Sequence, residues 1–304
     1  MTVLTDAFHH DNRLLQLNED VYVFGSYPFA GVVVTGEGCF AVDGPMSPRN
    51  SIPWSHFIGE QGPLRYQVYC EHHADHIASA CYMKPEILVA SEKTAAEMCT
   101  TAEMLGALNG WARDSQLVDG SLSDFRMWRP NMTFTGRLNL TLGGKRFVIF
   151  QAPGHTTGSS VIHAVDDRVA FIADLGFTPA IQSGDPFHWL QALAVLEMLD
   201  VDWYVQGHGD PFRRAALSEW RTVLLDLLDR SRGYKGEGVG PDEIVQMGGM
   251  FAHFARPRHV GLADTPPRLK DLAATDLQRE GAHQVLAAID SHPSDLLLGA
   301  AASP

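Results

Sequence analysis

Acid and imidazole side chains fill one six-residue run, Glu71-His72-His73-Ala74-Asp75-His76. Three more candidates follow at wide spacing. His155 lies in Gly154-His155-Thr156-Thr157-Gly158, Asp174 follows Phe171-Ile172-Ala173, and His208 lies in Gly207-His208-Gly209-Asp210. Brought together, these four stretches carry enough imidazole and carboxylate to hold two metal ions side by side. Adjacent metals activate a water and clamp the oxygens of a reacting bond. The pattern points to a metalloenzyme and demands a fold that gathers distant stretches at one place.

The spacing suits that demand. Glu71 and His73 are two apart, so on an extended segment they point to one side, while His72 points away. Asp75 and His76 follow a turn and reach a second ion. His155, Asp174 and His208 are placed at or after strand ends, and loops at the ends of adjacent strands converge in space. The expected partition is Glu71, His73 and His155 for one ion, and Asp75, His76 and His208 for the other. Asp174 bridges, since a carboxylate has two oxygens. His72 stays open as a substitute for Glu71.

The rest of the chain alternates sheet and helix signals. Val21–Phe24, Ala30–Val34 and Cys39–Val42 are β-branched and aromatic runs punctuated by glycine, which predicts strands. Leu64–Cys70 is a further strand running into the ligand cluster, and a helix is expected to open at His76. Glu86–Ala90 reads as a buried strand and Glu92–Leu108 as helix. The stretch from Asn109 to Met132 reads as an irregular loop over the site. Gly143-Gly144 joins two strands as a hairpin, and Asp166-Asp167 joins two more. Helices are expected over His188–Met198 and Arg213–Asp229, with Pro211 just ahead of the second. A glycine-rich link, Gly233–Gly240, then leads to helical pieces near 242–246 and 267–289. Residues 1–230 are expected to form one αβ domain. Residues 231–304 are expected to be a helical extension that packs on it, lids the pocket with Met247, Met250, Phe251 and Phe254, or contacts another subunit.

Composition narrows the partners. A formal net charge of −13 disfavours nucleic acid and anionic membrane surfaces and leaves a small-molecule substrate. The N-terminus lacks a signal-peptide pattern, and no apolar run approaches a membrane span. The four cysteines, Cys39, Cys70, Cys81 and Cys99, form no CxxC pair and read as reduced thiols. A cytoplasmic protein is expected, and a homodimer is the common symmetric assembly.

Taken in order, the ligand run and the single His, Asp and His that follow resemble the metallo-β-lactamase fold superfamily, whose hallmark is His-x-His-x-Asp-His. The resemblance covers roughly residues 20–212 and implies an αββα sandwich of two mixed β-sheets flanked by helices, with the metal site along one edge. Asp43 stands in the family's place after an early strand. It is expected to accept a hydrogen bond from a ligand imidazole or to steady a neighbouring loop. The chain departs from the family at its first motif position, where Glu71 replaces histidine. A carboxylate there favours iron or manganese more than a pure zinc site would, while zinc is the metal of most hydrolytic members. The oxygen-reducing flavodiiron branch carries its glutamate at the second position, where this chain has His73, and is a poor match.

The function these residues suggest is hydrolysis of a small lactone, thioester, phosphodiester or amide by a hydroxide shared between two divalent metals. Asp75 and Asp174 are the candidate catalytic carboxylates, and Asp75 is placed to orient the water or shuttle its proton. A di-iron oxygenase or oxidoreductase on the same fold is the first alternative, motivated by Glu71. A non-catalytic metal- or ligand-binding protein is the second.

Overall fold

The computed structural model describes residues 1–4, 13–114, 118–176, 184–240, 243 and 278–291. Two mixed sheets face each other. The first has eight strands in chain order: β1 (Thr2–Leu4), β2 (Arg13–Gln16), β3 (Val21–Gly25), β4 (Ala30–Thr35), β5 (Gly38–Val42), β6 (Leu64–Tyr69), β7 (Ile87–Ser91) and β8 (Met132–Phe134). It is antiparallel through β5 and parallel from β5 to β8. The second sheet has five strands: β9 (Arg137–Leu142), β10 (Lys145–Gln151), β11 (Ser160–Ala164), β12 (Val169–Ala173) and β13 (Trp203–Gln206). Only its β12–β13 pair is parallel.

Alternation along the strands builds the central layer. Val21, Val23, Val33, Phe40, Val68 and Val89 of the first sheet meet Phe147, Ile149, Ile162, Phe171 and Val205 of the second. Phe40 stacks on Phe147 across the interface, with ring centroids 4.1 Å apart. Gly31 is fixed by this packing, because a Cβ there would lie 2.0 Å from the Phe171 ring.

Helices close both outer faces. α1 (Pro48–Gln61) lays Trp54 and Ile58 on the first sheet, where Trp54 stacks on Phe24. The short α2 (Ala74–Ile77) and α3 (Ala80–Met83), then α4 (Glu92–Glu97) and α5 (Thr101–Asp114), flank the same side. α6 (Pro186–Glu197) and α7 (Arg214–Gly236) cover the second sheet. Asp185 caps α6 by accepting from the Phe187 and His188 amides, with Pro186 in the first turn. α8 (Gln278–Ser291) puts Val285 and Ala288 into the same cluster.

Three local expectations differ from the structure. The helix expected over Glu92–Leu108 is two, Glu92–Glu97 and Thr101–Asp114, and the second enters the stretch expected to be an irregular loop. The helix after the ligand run opens at Ala74, not His76, and breaks into two short pieces. α7 runs through Gly233 to Gly236, where a link was expected, because its buried face continues through Leu227, Leu228 and Ser231. The expected lid residues Met247, Met250, Phe251 and Phe254 lie outside the described residues. No helix among the described residues is long and apolar enough to cross a membrane. Cys39, Cys70 and Cys81 are buried and Cys99 is partly so, and all four are free thiols.

Candidate metal centre

Parallel strands open their carboxyl ends toward one edge of the sandwich, and the candidate ligands stand there. Asp43 follows β5, the run 71–76 follows β6, Asp174 follows β12 and His208 follows β13. His155 comes from the connection between β10 and β11. Chain reversal at two of these ends uses left-handed backbone at non-glycine residues, Asp43 (φ 50°) and Ala173 (φ 43°). Such conformations cost free energy and gather at functional sites.

The seven side chains form two clusters. Glu71, His73, His155 and Asp174 each offer an atom to one, and Asp75, His76 and His208 to the other, with the offered atoms of each cluster within 4.8 Å of one another. In the first, His73 Nδ1 lies 3.1 Å from Glu71 Oε2 and 3.2 Å from His155 Nε2. In the second, His208 Nε2 lies 3.2 Å from Asp75 Oδ2, and His76 Nε2 lies 3.6 Å from that oxygen. Asp174 joins them, since its Oδ2 is 3.5 Å from His155 Nε2 and 3.2 Å from His208 Nε2. His72 turns aside, with its Nδ1 3.0 Å from Glu97 Oε2 on α4.

Surrounding residues hold these groups in place. Asp43 Oδ1 accepts the Cys70 amide at 2.8 Å, and Asp43 Oδ2 lies 2.9 Å from His76 Nδ1. Gln67 donates to the Asp43 carbonyl and to Ser79 Oγ. The His155 loop is laced to α4: the Ser91 and Thr94 hydroxyls both donate to the Gly158 carbonyl. A Cβ at Gly158 would lie 2.5 Å from Thr94 Oγ1. Trp189 of α6 backs His155 edge-on, with ring centroids 5.4 Å apart. Gly207 sits so close to the clusters that a Cβ there would lie 2.0 Å from Asp174 Oδ1.

The electrostatics follow from burial and crowding. Burial alone would raise the carboxylate pKa values and lower those of the imidazoles. For Glu71 burial is outweighed by His155 and His73, which hold its pKa below the usual value. For Asp75, burial is likewise outweighed by His76 and His208, and its pKa falls to about 2. His73 rises to about 9 and His208 to about 10 against their own burial, driven by Glu71 and Asp174 respectively. His155, buried beside two other imidazoles, is lowered.

A pair of cations fits this donor set. Both Glu71 carboxylate oxygens and His76 Nε2 are buried with no hydrogen bond among the described residues, although neighbouring ionisable atoms lie within 4 Å of each. Burying several carboxylates together is costly unless positive charge compensates. Imidazole and carboxylate donors suit zinc, iron or manganese. The set points inward at shared space, as ligands do.

Two residues at the site escaped sequence reasoning. Gly207 was recoverable from its place beside His208. Tyr27, in the loop between β3 and β4, gave no spacing signal. Its ring lies 4.3 Å, centroid to centroid, from that of His208. Burial, then the Asp75 and Asp174 carboxylates, hold its phenol well above the ordinary tyrosine pKa. A groove of about 680 Å³ beside α6, lined by Arg137, Phe150, His163, Val195 and Leu199 among others, contains none of the seven ligand candidates.

Residues 72–208 match the family model described as the metallo-beta-lactamase superfamily. The chain is 29% identical over 234 residues to the 2,4-dinitroanisole O-demethylase subunit alpha of Nocardioides sp. (strain JS1661). That match takes in 72% of this chain and 64% of the relative, so it spans less than two thirds of the relative's length. A metallo-beta-lactamase from Pontibacter korlensis superposes with a TM-score of 0.55 at 18% identity, over 70% of this chain and 99% of that one. The inverting sec-alkylsulfatase Pisa1 from Pseudomonas sp. superposes with a TM-score of 0.67 at 15% identity, over 93% of this chain and 51% of that one.

Proposed function

We propose that this chain, whose residues 72–208 match the metallo-beta-lactamase superfamily model, is a dinuclear metal-dependent hydrolase of a small ester-like substrate. Lactones, thioesters, phosphodiesters and amides are the candidate classes. The observation that carries the reading is the pairing of two ligand clusters through one carboxylate, Asp174. Glu71, His73 and His155 would hold one ion and Asp75, His76 and His208 the other, with Asp174 shared. Two divalent ions there would supply a water acidic enough to ionise near neutrality and a Lewis acid for the group under attack.

The chain's own residues do the rest. Asp43 fixes the ring orientation and tautomer of His76 by accepting a hydrogen bond from its Nδ1–H. Asp75, with one oxygen near both His208 and His76, orients the attacking water and receives its proton. The buried walls around His155 and His76 exclude bulk water, which strengthens every charge interaction inside.

A second reading has its own support. Glu71 hardens the first cluster toward iron, and the curated relative is named as an O-demethylase. Methyl can leave an aryl ether by hydrolysis, giving methanol, or by oxidation, giving formaldehyde at the cost of oxygen and two electrons from a reductant. The deciding experiment purifies the protein without added metal, measures its elemental content, and screens esters, lactones, thioesters, phosphodiesters and an activated aryl methyl ether. Two ions per chain with oxygen-independent turnover support the hydrolase. Formaldehyde formed only with oxygen and reductant supports the oxygenase. A chain that binds no ion sinks both.

A further inference from the structure

The β3–β4 loop is sewn to the loop that carries His208. The Phe29 amide donates to the Gly207 carbonyl at 2.7 Å, the Met46 amide donates to the Tyr27 carbonyl at 2.9 Å, and the Ser26 hydroxyl donates to the Pro28 carbonyl at 2.7 Å. Behind it, Arg13 of β2 pairs with Asp210 at 2.6 Å. These contacts set the backbone of Tyr27 against the second cluster. They also explain how a residue from an early strand loop comes to pack its ring on His208. Tyr27 as a residue is half-buried and the His208 side chain is 18% exposed, so both stand near where the cluster opens outward. Most other polar side chains named around the clusters are ligand candidates, hold a ligand-bearing loop, or pair with a carboxylate. Tyr27 brings a hydroxyl donor with no assigned structural task.

We propose that Tyr27 is the residue that binds the leaving-group oxygen of the substrate, donating a hydrogen bond to it as the scissile bond breaks. This rests on the hydrolase reading and deepens it by fixing the substrate class as one whose leaving group departs on oxygen. One water is consumed. Its oxygen bonds to the acyl or phosphoryl centre, and the bond to the leaving oxygen breaks with both electrons staying on that oxygen. The water supplies the protons that end on the departing alcohol and in solvent. Tyr27 keeps its own proton throughout and stabilises the negative charge that develops on the oxygen. A hydrogen bond to a charged oxygen is stronger than one to a neutral oxygen, so it favours the transition state over the bound ester.

The test compares wild type with Tyr27→Phe, which keeps the ring against His208 and removes only the hydroxyl. The probes are aryl acetates and aryl phosphodiesters whose phenols span a wide range of acidity, with metal content and circular dichroism measured on each protein. The variant should keep its metal and its fold. Its kcat should fall by about tenfold to a hundredfold for poorly acidic phenols and by little for nitrophenols, since the better leaving group needs less help. Binding of 4-nitrophenolate, followed by its absorbance, gives a readout without turnover. Wild type should shift the phenolate band, and the variant should lose that shift and bind about tenfold more weakly. Equal losses across the series, or identical nitrophenolate spectra, overturn the role of Tyr27 while the hydrolase reading stands. A wild type without metal or turnover overturns both.

Discussion

His76 and Asp43 face each other at 2.9 Å, Nδ1 to Oδ2, in a pocket closed to solvent. The other Asp43 oxygen is committed to the Cys70 amide, next in sequence to Glu71. One carboxylate thus fixes a candidate ligand of the second cluster and the strand end that delivers the first. Asp43→Asn keeps an acceptor for Cys70 and turns an amide N–H₂ toward His76. Metal affinity is expected to fall by about 10- to 100-fold with the fold intact. A competition titration against a chromophoric chelator reads the affinity.

Glu71 and His72 separate cleanly, because one is buried between His73 and His155 and the other reaches Glu97. Glu71→Gln removes a buried anionic donor, and metal content should drop by one ion per chain. His72→Ala should keep both. Elemental analysis of the two variants beside wild type decides, and the reverse pattern would make His72 the ligand.

The metal-free protein has a defined pH window. His73 and His208 have folded pKa values of about 9 and about 10, above the ordinary histidine value. Their contribution to stability is complete below about pH 6.5 and is lost as pH rises through 9 to 10. Asp75, at about 2 when folded, contributes above about pH 4 and loses that contribution as pH falls through 2. Tm of chelator-treated protein should peak between about pH 4 and 6.5 and decline on both sides. A Tm that climbs from pH 7 to 10 would contradict the assignment.

Gly207 tests the closeness of the second cluster. Gly207→Ala places a methyl on Asp174 Oδ1 and near His76 Cε1, so the shared carboxylate must move. Metal content should fall toward zero and turnover by more than about a hundredfold, in line with the loss from a misplaced catalytic group. Calorimetric metal titration beside activity would show whether the two fall together.

Much of this was legible in the chain. The runs from Val21 to Val42 announce strands because β-branched residues alternate between glycines, and the structure puts three strands there. The ligand order could be read because each member of the run stands at a strand-to-helix turn. α1 was not legible: Pro53 interrupts it, and its buried face is spread over Pro48, Ser51, Trp54 and Ile58, too mixed for a helical stripe. β13 has only four residues, and its place beside β12 is a parallel pairing that no local pattern encodes. Tyr27 was silent for the same reason. Its place at the site comes from a contact with His208, set by backbone hydrogen bonds between two loops far apart in the chain.

Asp174 stands within 3.5 Å of a nitrogen from each cluster. A group shared in this way ties the filling of one half to the readiness of the other. Were two cations held there, seating the first would set the shared oxygens for the second. Drift at position 174 would then cost both halves at once, whereas a change at Glu71 or at His208 would touch one half alone.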